Sequence, residues 1–285
     1  MSFAWKTAKR ELDLRKPLVM AILNITPDSF SDGGEFRSID AAIRQAEKLI
    51  GEGADILDIG GESTRPGSQQ VSAAEEIRRV VPVIEALSKR FDTPISIDTT
   101  KSEVVSRSVD AGAEIINDIS GLRFDKRIAA IAASSGAGLI LMHSRGEFES
   151  MHSQPPVNDI FADVASGFRR SLRMASDRGV SDEQIALDIG LGFGKTFEQN
   201  LDLIAKLDKI VDEFSEYPLL VGASRKSFIG RICIDRPTNK RLAGSLAAAV
   251  IAVQNGARVV RVHDVAATVD ALLVEAAIRD RIREL

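Results

Sequence analysis

The sequence predicts an α/β fold, namely a single-domain (β/α)8 TIM barrel. Eight short apolar runs alternate along the chain with segments of helical pattern, which is typical of parallel strands joined by helices. The chain has 285 residues, and one barrel of this kind takes about 250. We therefore expect one domain over residues 1–285, with the barrel proper at about 17–283.

Each apolar run leads to a polar residue that can contact a ligand. The runs and their final residues are 18–23 with Asn24, 56–57 with Asp58, 95–97 with Asp98, 115–116 with Asn117, 139–142 with His143, 185–187 with Asp188, 219–222 with Ser224 and 259–262 with His263. All strands of such a barrel direct their carboxyl ends to one mouth, where the active site lies. Side chains far apart in sequence should therefore share one pocket.

The segments between the runs carry helix start signals. Ser72 and Thr196 each begin a capping box, which predicts a helix over 72–90 and another after the sixth run. Ser38 and Asp264 are predicted as the N-caps of the first and last helices. The helices therefore begin where the (β/α)8 order requires them.

Four long connections follow strand carboxyl ends, at 25–37, 61–71, 143–157 and 189–196. Long loops at this face are candidates for lids and binding loops. The first is rich in hydroxyl and carboxylate groups. The second places Thr64 and Arg65 after two glycines, and a guanidinium there suits a phosphate or a carboxylate.

Composition excludes several classes of protein. Lys and Arg number 37 against 41 Asp and Glu, so no overall basic field exists to bind nucleic acid. Cys233 is the only cysteine, which excludes a disulfide framework. The first 17 residues lack the apolar region of a secretory signal, and no apolar stretch reaches the ~20 residues of a membrane span. We expect a cytoplasmic protein.

Two tempting functional hypotheses fail on spacing. A P-loop ending at Gly194, Lys195 and Thr196 would need a glycine where the chain has Ile189. The three histidines form no metal-binding pair, so a metal caged by protein ligands is not expected. A magnesium ion held by one amide oxygen and by substrate phosphates needs much less from the protein.

The polar strand ends suit a particular ligand. Asp98, Asn117 and Asp188 could bind a heterocycle that presents several N–H donors and ring acceptors. Taken singly, each could instead bind loop backbone at the barrel mouth. The segments 224–227 and 261–263 add positive charge, and the loops after the last two strands commonly bind anions. Together they indicate a heterocycle that carries a phosphate.

Seven motifs carry a family resemblance and stand in the family's order. They are NITPDSFSDGG (24–34), DIGGESTRPG (58–67), SIDTTK (96–101), NDISG (117–121), LDIGLGFGK (187–195), GASRKSF (222–228) and RVHDV (261–265). In these motifs the chain resembles the dihydropteroate synthases of the pterin-binding barrel family. The resemblance implies condensation of 6-hydroxymethyl-7,8-dihydropterin diphosphate with 4-aminobenzoate, giving 7,8-dihydropteroate and diphosphate.

The resemblance also implies roles for individual residues. Those expected to bind the pterin diphosphate are Thr64, Asp98, Asn117, Asp188, Lys226, Arg261 and His263. Those expected to line the 4-aminobenzoate site are Arg65, Pro66, Phe193, Ser224 and Lys226. The catalytic group is expected to comprise Asn24, Lys226, Arg261 and His263, with Asn24 as the protein ligand of Mg2+. Diphosphate is expected to leave first, so that no nucleophilic side chain is needed.

Some features depart from the family or leave alternatives open. Ile189 stands where the family often has proline, and residues 142–146 differ from the commoner pattern, which leaves Met142, His143 and Arg145 without a role. A pterin-dependent methyltransferase of the same barrel family would share Asp98, Asn117 and Asp188. It has no diphosphate to expel, so Asn24, Arg261 and His263 argue against it. A non-catalytic binding subunit is a third hypothesis. A homodimer is expected from the family alone.

Overall fold

The architecture is described from a computed structural model of the chain. It describes residues 4–25, 34–64 and 67–284, with the backbone alone at 34–38 and 282–284. Parts of two predicted loops, residues 26–33 and 65–66, therefore lie outside the described residues.

Eight parallel strands close into a barrel. They are β3 (Leu18–Asn24), β4 (Ile56–Gly60), β5 (Ile95–Asp98), β6 (Ile115–Asp118), β7 (Gly138–Met142), β8 (Ile185–Asp188), β9 (Leu219–Val221) and β10 (Val259–Val262). Each strand pairs with the next along the chain, and β10 returns to pair with β3. The predicted (β/α)8 barrel is confirmed.

Helices cover the outside of the barrel. They are α1 (Gly34–Gly51), α2 (Ala73–Arg90), α3 (Ser102–Asp110), α4 (Arg127–Ser135), α5 (Ile160–Ser176), α6 (Phe197–Ala205), α7 (Leu207–Glu213), α8 (Ser227–Ile232), α9 (Leu242–Gln254) and α10 (Val265–Glu284). The connections after β8 and β9 carry two helices each. No helix in the described part of the chain is long and apolar enough to span a bilayer.

Three of the four predicted helix starts agree with the structure. Ser72 accepts a hydrogen bond from the first turn of α2, and Thr196 forms a full capping box on α6. Asp264 directly precedes α10, although its carboxylate binds Arg225 instead. The prediction for Ser38 is wrong, because α1 already begins at Gly34 and Ser38 lies inside it.

The strand register decides which side chains enter the barrel. Side chains alternate between the two faces of a strand. The outward residues pack against the helices in one large cluster, whereas a second cluster fills the lower interior. Its strand members are Leu18, Met20, Ile56, Ile115, Ile140, Ala186, Leu220 and Val259. Two residues further along five of these strands, the same inward face carries Asp58, Asn117, Met142, Asp188 and Arg261.

A short hairpin closes the amino-terminal end of the barrel. Strands β1 (Ala4–Lys6) and β2 (Glu11–Asp13) pair antiparallel, a feature absent from the sequence prediction. Trp5 is fully buried in the lower interior cluster, and its Nε1 donates to the carbonyl oxygen of Gln184 at 2.8 Å. The hairpin therefore acts as the floor on which the barrel interior packs.

Replacing Trp5 with Ala should reduce the free energy of unfolding by about 3–5 kcal/mol, because it leaves a cavity in this floor and an unpaired carbonyl. Denaturant titration followed by circular dichroism measures the effect. Lys6→Ala, on the exposed face of the same strand, is the matched control and should change stability by less than about 0.5 kcal/mol. A loss below about 1 kcal/mol for Trp5→Ala would contradict the role of the hairpin.

Candidate active site

An arginine bridges two carboxylates at the centre of the barrel mouth. Nε of Arg261 donates to Asp58 at 2.6 Å and its Nη2 donates to Asp98 at 2.7 Å. The amide of Asn117 also lies 3.3 Å from Asp58. Asp58, Asp98, Asn117 and Arg261, here called the mouth cluster, come from four strands. The register brings them together because each is an inward residue near the carboxyl end of its strand.

Burial dominates the electrostatics of the mouth cluster. Asp58 is fully buried and the side chain of Asp98 is 13% exposed. Burial raises the pKa of Asp98, and the charge of Arg261 opposes that rise. Burial alone would lower the pKa of Arg261, but Asp58 and Asp98 raise it above its ordinary value. Arg261 therefore stays charged and holds both carboxylates at fixed positions.

Asp188 contributes a third carboxylate from β8. It is buried, which raises its pKa, and its Oδ1 accepts a hydrogen bond from the N–H of Gly190 at 2.7 Å. Gly190 has a φ of +63°, and a Cβ there would lie 2.0 Å from the carbonyl oxygen of His143. Only glycine fits this turn. Ile189, which replaces the family's proline, is fully buried in the core.

A strained residue after β9 sets the side chains on either side of it. Arg225 has a φ of +59°, and its guanidinium pairs with Asp264 through contacts of 2.5 and 3.0 Å. Ser224, just before it, has its Oγ 3.1 Å from Nδ1 of His263. Lys226 follows it and precedes α8. The ion pair thus fixes the backbone that presents Ser224 and Lys226 to the mouth.

Lys226 meets an aromatic side chain from the neighbouring loop. Its Nζ lies 4.3 Å from the centre of the Phe193 ring, a cation–π contact. Burial lowers the pKa of Lys226 to about 8, while Asp188 works against that decrease. Phe193 is itself buried, and it packs with Ile119, Met142, Phe148 and Met151. The apolar ring of Phe193 and the amino group of Lys226 therefore lie side by side near Asp188.

Asn24 ends β3 beside the mouth cluster. A Cβ placed on Gly60 would lie 3.7 Å from Oδ1 of Asn24 and 3.8 Å from Oδ2 of Asp98, so both oxygens flank this glycine. Oxygen donors of this kind suit Mg2+. Within residues 4–25, 34–64 and 67–284, no three His, Cys, Asp or Glu side chains group as a metal centre. Any ion here would need further ligands from a substrate.

A lysine anchors the base of the 61–71 loop. Lys101 binds Glu76 at 2.7 Å and Glu62 at 2.9 Å, and Glu62 also accepts from the N–H of Val71 at 2.6 Å. Glu76 is fully buried, which raises its pKa against the effect of Lys101. Thr64 lies in the described part of this loop. The predicted site residues Arg65 and Pro66 lie outside the described residues.

Two residues of the site have no role in the sequence prediction. Asp58 was noted there only as a strand end, but β4 continues to Gly60 and Asp58 points into the barrel. Strand alternation was the signal that could have found it. Lys195 donates to the carbonyl oxygens of His143, Gly190 and Phe193 at 2.8–3.2 Å, and burial lowers its pKa to about 7. It holds the Phe193 loop against the end of β7.

The structure also gives contacts for the residues that the sequence left without a role. Met142 packs against Phe193. His143 is buried and faces Asp163 on α5, with Nε2 3.4 Å from the carboxylate, and burial lowers its pKa to about 4. Arg145 donates to the carbonyl oxygen of Gly194 at 2.7 Å. His143 therefore joins the barrel to a helix, whereas Met142 and Arg145 support the Phe193 loop.

Known proteins are similar to this chain in sequence and in fold. The family model described as "Pterin binding enzyme" matches residues 20–263. A dihydropteroate synthase from Synechocystis is 48% identical over 254 residues, which cover 89% of this chain and 87% of that protein. The solved structure of Xanthomonas albilineans dihydropteroate synthase with 4-aminobenzoic acid superposes with a TM-score of 0.90 at 42% identity, covering 98% and 99% of the two chains. That of Burkholderia cenocepacia dihydropteroate synthase with 7,8-dihydropteroate gives 0.87 at 42% identity, covering 99% and 98%.

The chain therefore belongs to the pterin-binding enzymes. Its relatives place it within that family among the dihydropteroate synthases, which are transferases of folate biosynthesis. The fold and the family of the sequence prediction are both confirmed. The roles of individual residues stay predictions, and so does the magnesium ion.

Replacing Arg261 with Met should raise the pKa of Asp98 further, by at least about one unit, because the charge that opposes its burial is lost. Carboxyl carbon shifts in a protein labelled at aspartate measure this by NMR titration. Arg225→Met, which removes the partner of Asp264 outside the mouth cluster, should leave Asp98 unchanged. An unchanged Asp98 titration in Arg261→Met would contradict the bridge.

Proposed function

We propose that this enzyme condenses 6-hydroxymethyl-7,8-dihydropterin diphosphate with 4-aminobenzoate, giving 7,8-dihydropteroate and diphosphate. The observation that carries the proposal is the mouth cluster with Asp188 beside it. It brings carboxylate acceptors, one amide and one fixed cation together at the carboxyl ends of the barrel strands. A heterocycle with several N–H groups and an anionic substituent matches this set.

Asp98, Asn117 and Asp188 bind the pterin in this proposal. A carboxylate accepts from ring and exocyclic N–H groups, whereas the Asn117 amide both donates and accepts. The bridge from Arg261 keeps Asp98 as an acceptor, because it opposes the rise in the pKa of this carboxyl group. Lys226, which lies near Asp188, adds a donor toward the ring.

Arg261 and His263 stabilise the leaving diphosphate. The C–O bond of the substrate breaks, the bonding electrons leave with diphosphate, and the carbon left behind is stabilised by the pterin. The positive charge of Arg261 stabilises the negative charge that develops on the phosphate oxygens. This interaction is stronger in the transition state than in the ground state. His263 is oriented by Ser224. Thr64, on the loop anchored by Lys101, completes the diphosphate side.

Mg2+ fits the position of Asn24. Its amide oxygen flanks Gly60 beside Asp98, and hard oxygen donors of this kind bind magnesium together with substrate phosphates. When bound, the ion would neutralise charge on the leaving diphosphate. Asn24 and Arg261 lie on the neighbouring strands β3 and β10, so an ion held by Asn24 would act at the same end of the substrate as Arg261.

The 4-aminobenzoate lies against Phe193. Its flat ring packs on the apolar face of that side chain, and its carboxylate lies near Ser224 and Lys226. Below the Lys226 pKa of about 8 the lysine is charged and favours this anion. Arg65 and Pro66 belong to the proposed site by family resemblance. The amine nitrogen attacks the pterin carbon and then loses a proton, so no protein nucleophile takes part.

Product formation tests the proposed function. Purified enzyme given both substrates should release 7,8-dihydropteroate and diphosphate in equal amounts, and removal of Mg2+ with EDTA should abolish turnover until the ion is restored. Asn24→Ala should need much more Mg2+ for half-maximal rate. A wild-type enzyme that forms no dihydropteroate would refute the function, whereas full turnover in EDTA would refute only the metal.

We also propose that the chain forms a homodimer, in which a second copy covers the outer face of α9 and α10. The two helices pack side by side, and they expose Ile251, Leu273, Val274 and Ile278 by 44–63%. Clustered apolar exposure of this kind marks protein interfaces. We further propose a cytoplasmic location, in keeping with an unpaired Cys233.

Replacing Val274 with Asp should convert a homodimer to monomers, because it buries a charge in the apolar interface. Sedimentation velocity at micromolar protein measures the change. Lys89→Asp, on the exposed side of α2, is the control and should stay dimeric. A monomeric wild-type protein, or a dimer unaffected by Val274→Asp, would contradict this interface.

A further inference from the structure

His152 joins two loops of the mouth that are distant in sequence. Its Nε2 lies 2.7 Å from the carbonyl oxygen of Thr64, and its Nδ1 lies 3.0 Å from the carbonyl oxygen of Gly192. Both partners are backbone carbonyl oxygens, which only accept, so the ring is the donor side of these contacts. Both ring nitrogens are thus engaged with backbone on other loops. The contacts therefore fit a connector between loops and not a general base.

The loop that carries His152 is held firmly in place. The preceding residue, Met151, is 1% exposed and belongs to the apolar cluster around Phe193. The amide of Gln154 donates to the carbonyl oxygen of Ser150 at 3.0 Å, which closes a turn around the histidine. His152 is thus presented at a fixed position, so that its two hydrogen bonds transmit that position to the loops it contacts.

One of these loops carries a wall of the arylamine site. The ring of His152 lies 5.0 Å from the ring of Phe193 at an interplanar angle of 38°. Phe193 in turn contacts the Nζ of Lys226 at 4.3 Å. Thr64, Gly192 and Phe193 therefore lie in one connected set, with His152 as the member that reaches both loops.

We propose that His152 is a positioning residue for the arylamine substrate. By binding the carbonyl oxygens of Thr64 and Gly192, it sets the separation between the Thr64 loop and the Phe193 face. An arylamine that packs on Phe193 must hold its nitrogen at reaction distance from the pterin carbon, and a small change in that separation misaligns it. The inference rests on the proposed function and adds a residue that neither the motifs nor the mouth cluster includes.

Steady-state kinetics of two His152 variants test the proposal. His152→Leu removes both ring nitrogens and keeps an apolar side chain, whereas His152→Gln keeps an amide that can still donate. We expect the Leu variant to raise the KM for 4-aminobenzoate about tenfold and the KM for pterin diphosphate less, about threefold, because Thr64 also borders the diphosphate. The Gln variant should recover most of this loss. Ser153→Ala, at the next residue of the same loop, is the control and should match wild type.

Three outcomes would overturn the inference. The first is an unchanged 4-aminobenzoate KM in His152→Leu, and the second is an equal rise in both KM values, which would indicate general disruption of the mouth. The third is a Gln variant no better than the Leu variant, since hydrogen bonding would then not be the cause. If thermal unfolding shows that His152→Leu does not fold, His152→Asn takes its place. Its shorter amide reaches fewer carbonyl oxygens, and its kinetics are then compared with those of His152→Gln. A wild-type enzyme without product would instead refute the proposed function itself.

Discussion

The bridge from Arg261 to Asp58 and Asp98 is the interaction on which the rest of the mouth depends. It joins β10, the last strand of the barrel, to β4 and β5, whose bridged residues lie 203 and 163 positions away in sequence. Asp58 is fully buried here and Asp98 and Arg261 are mostly buried, so each charge is tolerable only because the others are present. Removing one partner from a buried pair costs about 3–5 kcal/mol, since a charge is then left without compensation. The acceptors of the pocket are therefore fixed before any substrate arrives.

The loops above the mouth are held in a different way. Lys195, Arg145 and His152 direct their N–H groups to backbone carbonyl oxygens of neighbouring loops, so that side chains supply the hydrogen bonds that irregular backbone lacks. Burial lowers the pKa of Lys195 to about 7, which reflects the cost of burying its charged amino group, and its hydrogen bonds to carbonyl oxygens offset part of that cost. Strands thus position the mouth cluster, and these side chains position the Phe193 loop and its neighbours.

Much of this arrangement could be predicted from the sequence. The strands and the residues at their ends follow from short apolar runs, and the caps at Ser72 and Thr196 follow from local chemistry. Ser38 is a residue type that caps helices well, but α1 already begins at Gly34, and local capping chemistry alone does not fix where a helix starts. The hairpin around Trp5 has strands of three residues, too short for a periodic pattern.

Other parts could not be predicted because their causes are not local. Strand alternation could have placed Asp58 inside the barrel, but its contact with Arg261 exists only once the barrel has closed. His152 has no partner nearby in sequence, because both of its partners are backbone carbonyl oxygens on other loops, and any residue type supplies a carbonyl. Motifs record side chains, so they do not reveal contacts of this kind.

A double-mutant cycle on pterin diphosphate affinity tests the central claim most directly. Isothermal titration calorimetry would compare wild type with Asp58→Asn, Arg261→Gln and the double variant. If the bridge organises the pocket, each single change removes the same interaction, so the double variant should bind about as weakly as the worse single variant. Fully additive losses would show that Asp58 and Arg261 act independently, which would contradict the account.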